Sequence, residues 1–363
     1  MKNILVVMDY AAPYRGNFIE SIENLRLKLN LLGSNLIYVF PDRAINSSAV
    51  SWIKGLSSNG CNIYFLKKNI IYNALLLIRL INKYKVSIVH LHFDNLRQHL
   101  SVYISTLFYK TNVIRHFHSQ FHFGSILKKI IKKFISRRWT LVCVSNSVFE
   151  GVKNVFPNNK CYWVDNSINF RRLDKYSDIL RSNIGVAEDA YLCFMLGFDF
   201  ERKGVDLALK AISQIQKQNN IHLMISVSSN ADSVRRKMCN ILGQKPDWIS
   251  IIPPRNDIAS YFKISDLFLS PSREEGFCYA LVEAAYCKKI IVASKIPAQG
   301  DLKIPNVFWF RSEDINGLKK AILDAISHKD SYFNELQYAK ISALKHYDIE
   351  RWSNEVIKIY QSL

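Results

Sequence analysis

Short runs rich in β-branched and aromatic residues alternate with longer amphipathic stretches along most of this chain, and the alternation occurs twice. The first series is Ile4–Met8, Asn35–Phe40, Asn62–Leu66, Ser87–Leu91, Asn112–Phe117 and Thr140–Ser145, with helical periodicity between them, as at Phe18–Leu31 and Asn69–Tyr84. Buried strands separated by longer helices describe strand–helix–strand units and a parallel sheet covered on both faces. The pattern lapses into polar and charged residues over Asp165–Ser182. It restarts with Tyr191–Leu196, a helix at Val205–Gln216, then Ile221–Val227, Trp248–Ile252, Leu267–Ser270 and Ile290–Ala293. The fold class is therefore α/β, with two doubly wound, Rossmann-like domains expected at 1–165 and 166–348. A single core rarely grows to 363 residues, which agrees with two domains. The last helix, Ile349–Leu363, is expected to cross back onto the first domain.

Composition removes several classes. With 49% hydrophobic and 22% charged residues, the chain is too apolar for disorder. No apolar run approaches the ~18–20 residues of a membrane-spanning helix, and Asp9 comes too early for a signal peptide. The expected location is cytoplasmic, peripheral on the inner face of the cell membrane. Seven scattered cysteines without C-x-x-C spacing read as reduced thiols, neither disulfides nor zinc ligands. The formal charge of +19 is uneven: residues 1–165 carry +15 and residues 166–363 only +4. A basic first half implies an anionic partner, whether nucleic acid, membrane face or phosphate-bearing substrate.

The densest chemical signal is Ser270-Pro271-Ser272-Arg273-Glu274-Glu275-Gly276-Phe277-Cys278-Tyr279-Ala280-Leu281-Val282-Glu283-Ala284. It follows the strand Leu267–Leu269 and runs into an apolar helical pattern expected to start near Phe277. The carboxyl end of a parallel strand is where ligands bind, and a helix N-terminus suits a diphosphate. Glu283 sits among apolar neighbours, so its carboxylate needs a polar partner rather than an exposed face. Glu275 and Glu283, about two helical turns apart, can share one side of a site. A second loop, Leu196-Gly197-Phe198-Asp199-Phe200-Glu201-Arg202-Lys203-Gly204-Val205-Asp206, also lies at a strand's carboxyl end, where Arg202 and Lys203 can clamp phosphate. Taken alone, an Arg-Lys pair is more often solvated surface.

Together, Glu-x7-Glu after a Pro-Ser turn and Phe-Glu-Arg-Lys-Gly-Val-Asp resemble glycosyltransferase family 4, retaining enzymes of GT-B fold with a cleft between two domains. Arg255-Asn256-Asp257-Ile258, Ser265-Asp266-Leu267-Phe268-Leu269 and Ile168-Asn169-Phe170-Arg171-Arg172 extend the resemblance, and Ala11-Ala12-Pro13-Tyr14-Arg15-Gly16-Asn17 stands where the family has its first Gly-containing loop. Bacterial enzymes of capsule, lipopolysaccharide or exopolysaccharide assembly look closest. The resemblance implies a nucleotide-sugar donor, UDP- or GDP-linked, and a hexose-type sugar passed to a membrane-associated glycan or lipid-linked acceptor. Donor binding would fall to the second domain and acceptor binding to the first. Glu283 would bind the ribose hydroxyls and Glu275 the donor sugar. Arg202 and Lys203, with Arg172, would neutralise the leaving diphosphate, and backbone N–H groups at Gly16, Phe277 and Cys278 would complete the cradle. Arg255 belongs to the same donor-binding set and His118 would lie near the transferred sugar. The chain departs from the family at Cys278, often Gly, at Phe198, often Arg, and at Cys287-Lys288-Lys289-Ile290, which replaces a small-Gly-x-Pro turn. No Asp-x-Asp pair occurs, so no metal is expected on the diphosphate, and no cofactor beyond the donor substrate.

Two stretches stay outside these motifs. Arg115-His116-Phe117-His118-Ser119-Gln120-Phe121-His122, with His90 and His92 one strand earlier, clusters histidines without local carboxylates. Polar residues at strand ends are the expectation here, and no metal. Residues 126–139, Ile-Leu-Lys-Lys-Ile-Ile-Lys-Lys-Phe-Ile-Ser-Arg-Arg-Trp, form a cationic amphipathic helix with Leu127, Ile130, Ile131 and Phe134 expected inward. Six cations without an acid between Gly124 and Phe149 point to an anionic bilayer or a lipid-diphosphate acceptor, against an ordinary surface helix. The rival readings are a nucleic-acid-binding protein, which lacks a recognisable module, and a catalytically silent GT-B scaffold, which would not need Glu275, Glu283, Arg202 and Lys203.

Overall fold

The computed structural model describes residues 2–12, 15–47, 50–93, 95–119, 126–227, 231–243, 246–255, 257–328 and 331–363, with backbone alone for 126–129. Pro13, Tyr14, Gln120, Phe121, His122 and Asn256, named above, lie outside the described residues. The chain divides into two compact units, 1–167 with 349–363, and 168–348.

The N-terminal unit holds seven parallel strands: β1 (Asn3–Met8), β2 (Leu36–Pro41), β3 (Asn62–Leu66), β4 (Val86–His92), β5 (Asn112–Phe117), β6 (Thr140–Cys143) and β7 (Cys161–Trp163), ordered β3-β2-β1-β4-β5-β6-β7. Central strands are apolar at successive positions because helices cover both faces; Ile4 through Met8 are wholly buried. The helix Ile349–Gln361 packs on the helix Gly16–Leu31, placing Trp352, Val356 and Tyr360 in this unit's core. Asn24 donates to Ser353 Oγ (3.0 Å) and Lys2 Nζ to the Tyr360 carbonyl (2.9 Å), fixing that packing.

The C-terminal unit holds six parallel strands: β8 (Tyr191–Leu196), β9 (Ile221–Ser226), β10 (Ile249–Ile252), β11 (Leu267–Ser270), β12 (Ile290–Ser294) and β13 (Phe308–Phe310), ordered β10-β9-β8-β11-β12-β13. The order reverses beside β8 and β11, which are neighbours with Leu267 opposite Cys193. Such a switch point leaves a crevice at the strands' carboxyl ends, because the following helices go to opposite faces. All seven cysteines are unpaired thiols. Among the described residues, no helix is long and apolar enough to cross a membrane.

Candidate active site

The loops leaving β8 and β11 are joined before any ligand is considered. The Arg273 N–H donates to the Arg202 carbonyl at 2.8 Å. Gly204 has φ +67°, and a Cβ there would lie 2.0 Å from the Pro271 carbonyl oxygen, so only glycine allows the approach. The Arg273 guanidinium forks onto Asp206 at 2.7 and 2.9 Å and also bonds Glu313. Burial would raise the Asp206 carboxyl's pKa, but the Arg273 fork outweighs it and holds the group below its ordinary range.

On this base the two cations expected to clamp phosphate converge on one carboxylate. Lys203 Nζ lies 2.5 Å from Glu275 Oε1, and Arg202 Nη1 lies 3.2 Å from Glu275 Oε2. Ser272 Oγ donates to Glu275 Oε1 at 3.0 Å, while the Ser272 carbonyl accepts from Ser294 Oγ at 2.5 Å. Glu275 is 7% exposed, a burial that its two cations and one hydroxyl make tolerable. Arg202 also bonds Asp199 and the Glu274 carbonyl, so its guanidinium is oriented from three sides.

Glu283 is 5% exposed and ion-paired to Arg172, which supplies the polar partner its apolar setting demands. Arg172 thus pairs with Glu283 as Arg202 and Lys203 pair with Glu275. The helix carrying Glu283 runs from Tyr279 to Tyr286 and begins two residues later than the sequence suggests. Cys278 precedes it with φ −88° and ψ +83°, outside helical geometry. Phe277 turns inward to pack on Tyr279 and Tyr347 (centroids 5.1 and 5.6 Å), which sets the late start. The Cys278 thiol lies 3.7 Å from Ser270 Oγ and 3.6 Å from Gln299 Nε2, and burial, then Glu275, push its pKa up. Arg255 is occupied differently: it forks onto Asp257 at 2.7 and 2.8 Å and reaches Ser177 Oγ. Sequence reading passed over Ser272 and Arg273. A hydroxyl three residues before Glu275 was the available signal for the first; Arg273's partner Asp206 is 67 residues away, beyond any local pattern.

Gly16 and His118 belong to the N-terminal unit. Gly16 opens the helix Gly16–Leu31 with φ +61°. His118 stacks on Phe93 (3.9 Å) and its Nε2 meets His92 Nδ1 at 2.9 Å. His90, His92 and His116 lie behind it, wholly buried, with ring nitrogens within 4.8 Å of one another. Burial holds His90 and His92 well below the ordinary imidazole pKa and lowers His116 to about 3. The three histidines form one cluster, more than a set of strand-end side chains.

The basic helix spans Ile126–Ser136; the side chains of 126–129, including Lys128 and Lys129, lie outside the described residues. The inward face differs from expectation. Ile130 and Phe134 are 59% and 53% exposed, whereas Ile135, Ser136 and Trp139 are buried. His99 Nε2 bonds Ser136 Oγ at 3.0 Å and its ring packs on Trp139, which turns that stripe inward; Ile131 is half-buried, and Ile130 and Phe134 face outward. Leu107 and Phe108, at the end of the neighbouring helix Leu96–Thr106, are exposed as well. Apolar and basic side chains therefore share one surface.

Two family models together account for most of the chain: Glycosyltransferase Family 4 matches residues 23–172, and Glycosyl transferases group 1 matches residues 177–341. The chain is 22% identical over 347 residues to a phosphatidylinositol N-acetylglucosaminyltransferase subunit of Arabidopsis thaliana, covering 89% of this chain and 74% of that protein. It is 26% identical over 178 residues to the lipopolysaccharide 1,2-N-acetylglucosaminetransferase of Salmonella typhimurium, covering 42% and 44% of the two chains. A glycosyltransferase structure from Rickettsia africae superposes with TM-score 0.83 at 18% identity, covering 99% of this chain and 98% of that one. Anabaena HepE, solved in complex with UDP and glucose, gives TM-score 0.82 at 14% identity with full coverage of both. Matched in sequence by both family models and in fold by these structures, the chain belongs to glycosyltransferase family 4 and has the GT-B fold.

Proposed function

We propose that the protein is a retaining glycosyltransferase that moves a hexose-type sugar from a UDP- or GDP-linked donor to a membrane-associated glycan or lipid-linked acceptor, in surface polysaccharide biosynthesis. The observation that carries this reading is the Lys203–Glu275–Arg202 cluster at the carboxyl ends of β8 and β11. As the bond from the anomeric carbon to the diphosphate breaks, negative charge grows on the leaving oxygen. Two cations already held in place stabilise that charge without reorganising, which is where electrostatic catalysis gains most. Glu275 then accepts hydrogen bonds from the donor sugar, and Glu283, held by Arg172, binds the ribose diol. The first domain receives the acceptor. Arg202 and Lys203 take the role a metal would have on the diphosphate, so transfer proceeds without one. UDP and glucose bound to HepE, and the lipopolysaccharide substrate named for the Salmonella relative, support the donor and acceptor classes.

Residues 126–139 support a position at the inner face of the membrane. Exposed Ile130 and Phe134 can enter the interface while Lys133, Arg137 and Arg138 meet anionic headgroups. The test is a thermal-shift survey of UDP- and GDP-sugars, followed by NMR of the anomeric proton in the product. A donor that binds the folded state raises the melting temperature, and an axial donor should give an axial product. Absence of any shift across the panel would favour a silent scaffold, and an inverted product would refute retention.

A further inference from the structure

The N-terminal unit contains a second constellation that the transfer reaction does not use. We infer that His90, His92 and His116 form a tri-imidazole site for one divalent transition ion, Zn2+ being its redox-inert representative. His90 and His92 alternate on β4 and so share one face, and the register of the sheet sets His116 of β5 directly beside His92. The three side chains each offer a ring nitrogen within 4.8 Å of the others. Zinc–nitrogen bonds of ~2.0–2.1 Å in a tetrahedron separate such atoms by roughly 3.4 Å. Closing that gap turns His116 out of its present stacking on His90 and His92 (centroids 5.3 and 4.9 Å).

The cluster has an unmet need. His92 Nε2 and His116 Nε2 are buried and have no hydrogen-bond partner among the described residues. A buried polar atom left unpaired is costly, and a bound ion would take up such lone pairs; His90 Nε2 now faces His116 Nδ1 at 3.2 Å, a contact the ion would replace. The far sides of two rings are already fixed: His90 Nδ1 meets the Tyr360 hydroxyl at 2.7 Å and His92 Nδ1 meets His118 Nε2 at 2.9 Å. Ligating histidines are regularly steadied through their second nitrogen in this way. Uncharged imidazoles with no carboxylate in the set favour zinc-like ions over magnesium or calcium, which require oxygen. Such an ion would pin β4 to β5 and, through Tyr360, to the last helix. Ligation at His92 Nε2 would also place the His92 proton on Nδ1, where it donates to His118 Nε2 and leaves the His118 proton on Nδ1.

The full chain, expressed without a histidine tag and stripped with chelator, is titrated with CoCl2 and then ZnCl2. The expected result is one Co2+ per chain, with ligand-field absorption of nitrogen ligation, no thiolate charge-transfer band, and displacement by Zn2+. His116→Gln should abolish this signal, and Tyr360→Phe should weaken zinc binding roughly tenfold through the lost outer hydrogen bond. Featureless spectra would overturn the inference in favour of a bridging water. Thiolate bands, or stoichiometric binding that survives His116→Gln, would overturn it in favour of the cysteines or other surface ligands. If His116→Gln does not fold, the native Co2+ spectrum decides alone.

Discussion

In the C-terminal unit, buried carboxylates come with cations: Glu275 with Lys203 and Arg202, Glu283 with Arg172, and the half-buried Asp206 with Arg273. In the N-terminal unit the buried polar side chains of β4 and β5 are chiefly imidazoles, and that unit's cations, +15 of the formal +19, are mostly displayed outward. The contrast separates two uses of charge. Paired groups are desolvated in advance and can exchange a protein partner for a ligand of the same sign. Surface cations without acids nearby stay hydrated, and their free energy is realised only when an anionic surface approaches.

Breaking a C-terminal pair should therefore have the largest effect. Lys203→Ala is expected to lower kcat by roughly 10²–10³, as removing one preorganised charge from a developing anion does elsewhere. Arg202 remains to hold Glu275, so circular dichroism and melting temperature should change little. Near-native turnover by the purified variant would show that the cluster only stabilises the loops.

The N-terminal counterpart is smaller and depends on salt. Replacing Lys133, Arg137 and Arg138 with Ser should lower binding to anionic vesicles by roughly two orders of magnitude, at about 1 kcal/mol per cation. Turnover on a soluble acceptor analogue should be preserved and turnover on a lipid-linked acceptor lost. Co-sedimentation at two ionic strengths checks it, because raised salt should weaken the native protein toward the variant. Equal pelleting of both would leave this helix as ordinary solvated surface.

Within the C-terminal unit, Gly204 and Gly185 isolate how tightly the two loops are joined. Both have positive φ, +67° and +73°, but a Cβ on Gly185 meets nothing within 4 Å. Gly185→Ala should cost about 1 kcal/mol for the left-handed backbone alone. Gly204→Ala should cost about 1–3 kcal/mol more, because the Pro271 carbonyl must move. Urea unfolding of both variants measures the difference, and equal costs would mean that the approach of the loops is not required.

The two units were not equally legible in the sequence. Strands such as β8 and β11 read directly, since strands buried on both faces appear as unbroken apolar runs. The Glu-x7-Glu stretch and the Arg202-Lys203 loop were visible for the same reason, each sitting where such a run ends. Their partnerships were not: Arg172 is 111 residues from Glu283, and Lys203 is 72 from Glu275. Those distances are closed by sheet order, which periodicity does not encode. Short β7 and β13, with three residues each, fell below any pattern length. The cationic helix was legible as amphipathic but not in its facing, because two candidate stripes compete and His99 decides between them from another helix. The histidine cluster depended on the β4–β5 register, which the sequence does not state.

The smallest effect tests whether the C-terminal pairs divide their labour. Glu283, placed for the ribose, should contribute equally to the ground and transition states, so Glu283→Gln should raise KM about tenfold with kcat nearly unchanged. Arg172 is the sharper probe, since it was expected among the diphosphate ligands and is found on Glu283. If it acts by orienting that carboxylate, Arg172→Ala should reproduce the KM effect. The double variant should then lose little more than either single one, because residues that share one contact are not additive. If instead Arg172 releases Glu283 and meets the diphosphate during transfer, Arg172→Ala should lower kcat, and the two losses should add. Steady-state kinetics of the three variants with one donor distinguishes the cases. A fall in kcat would move Arg172 into the same charge-stabilising group as Lys203 and Arg202.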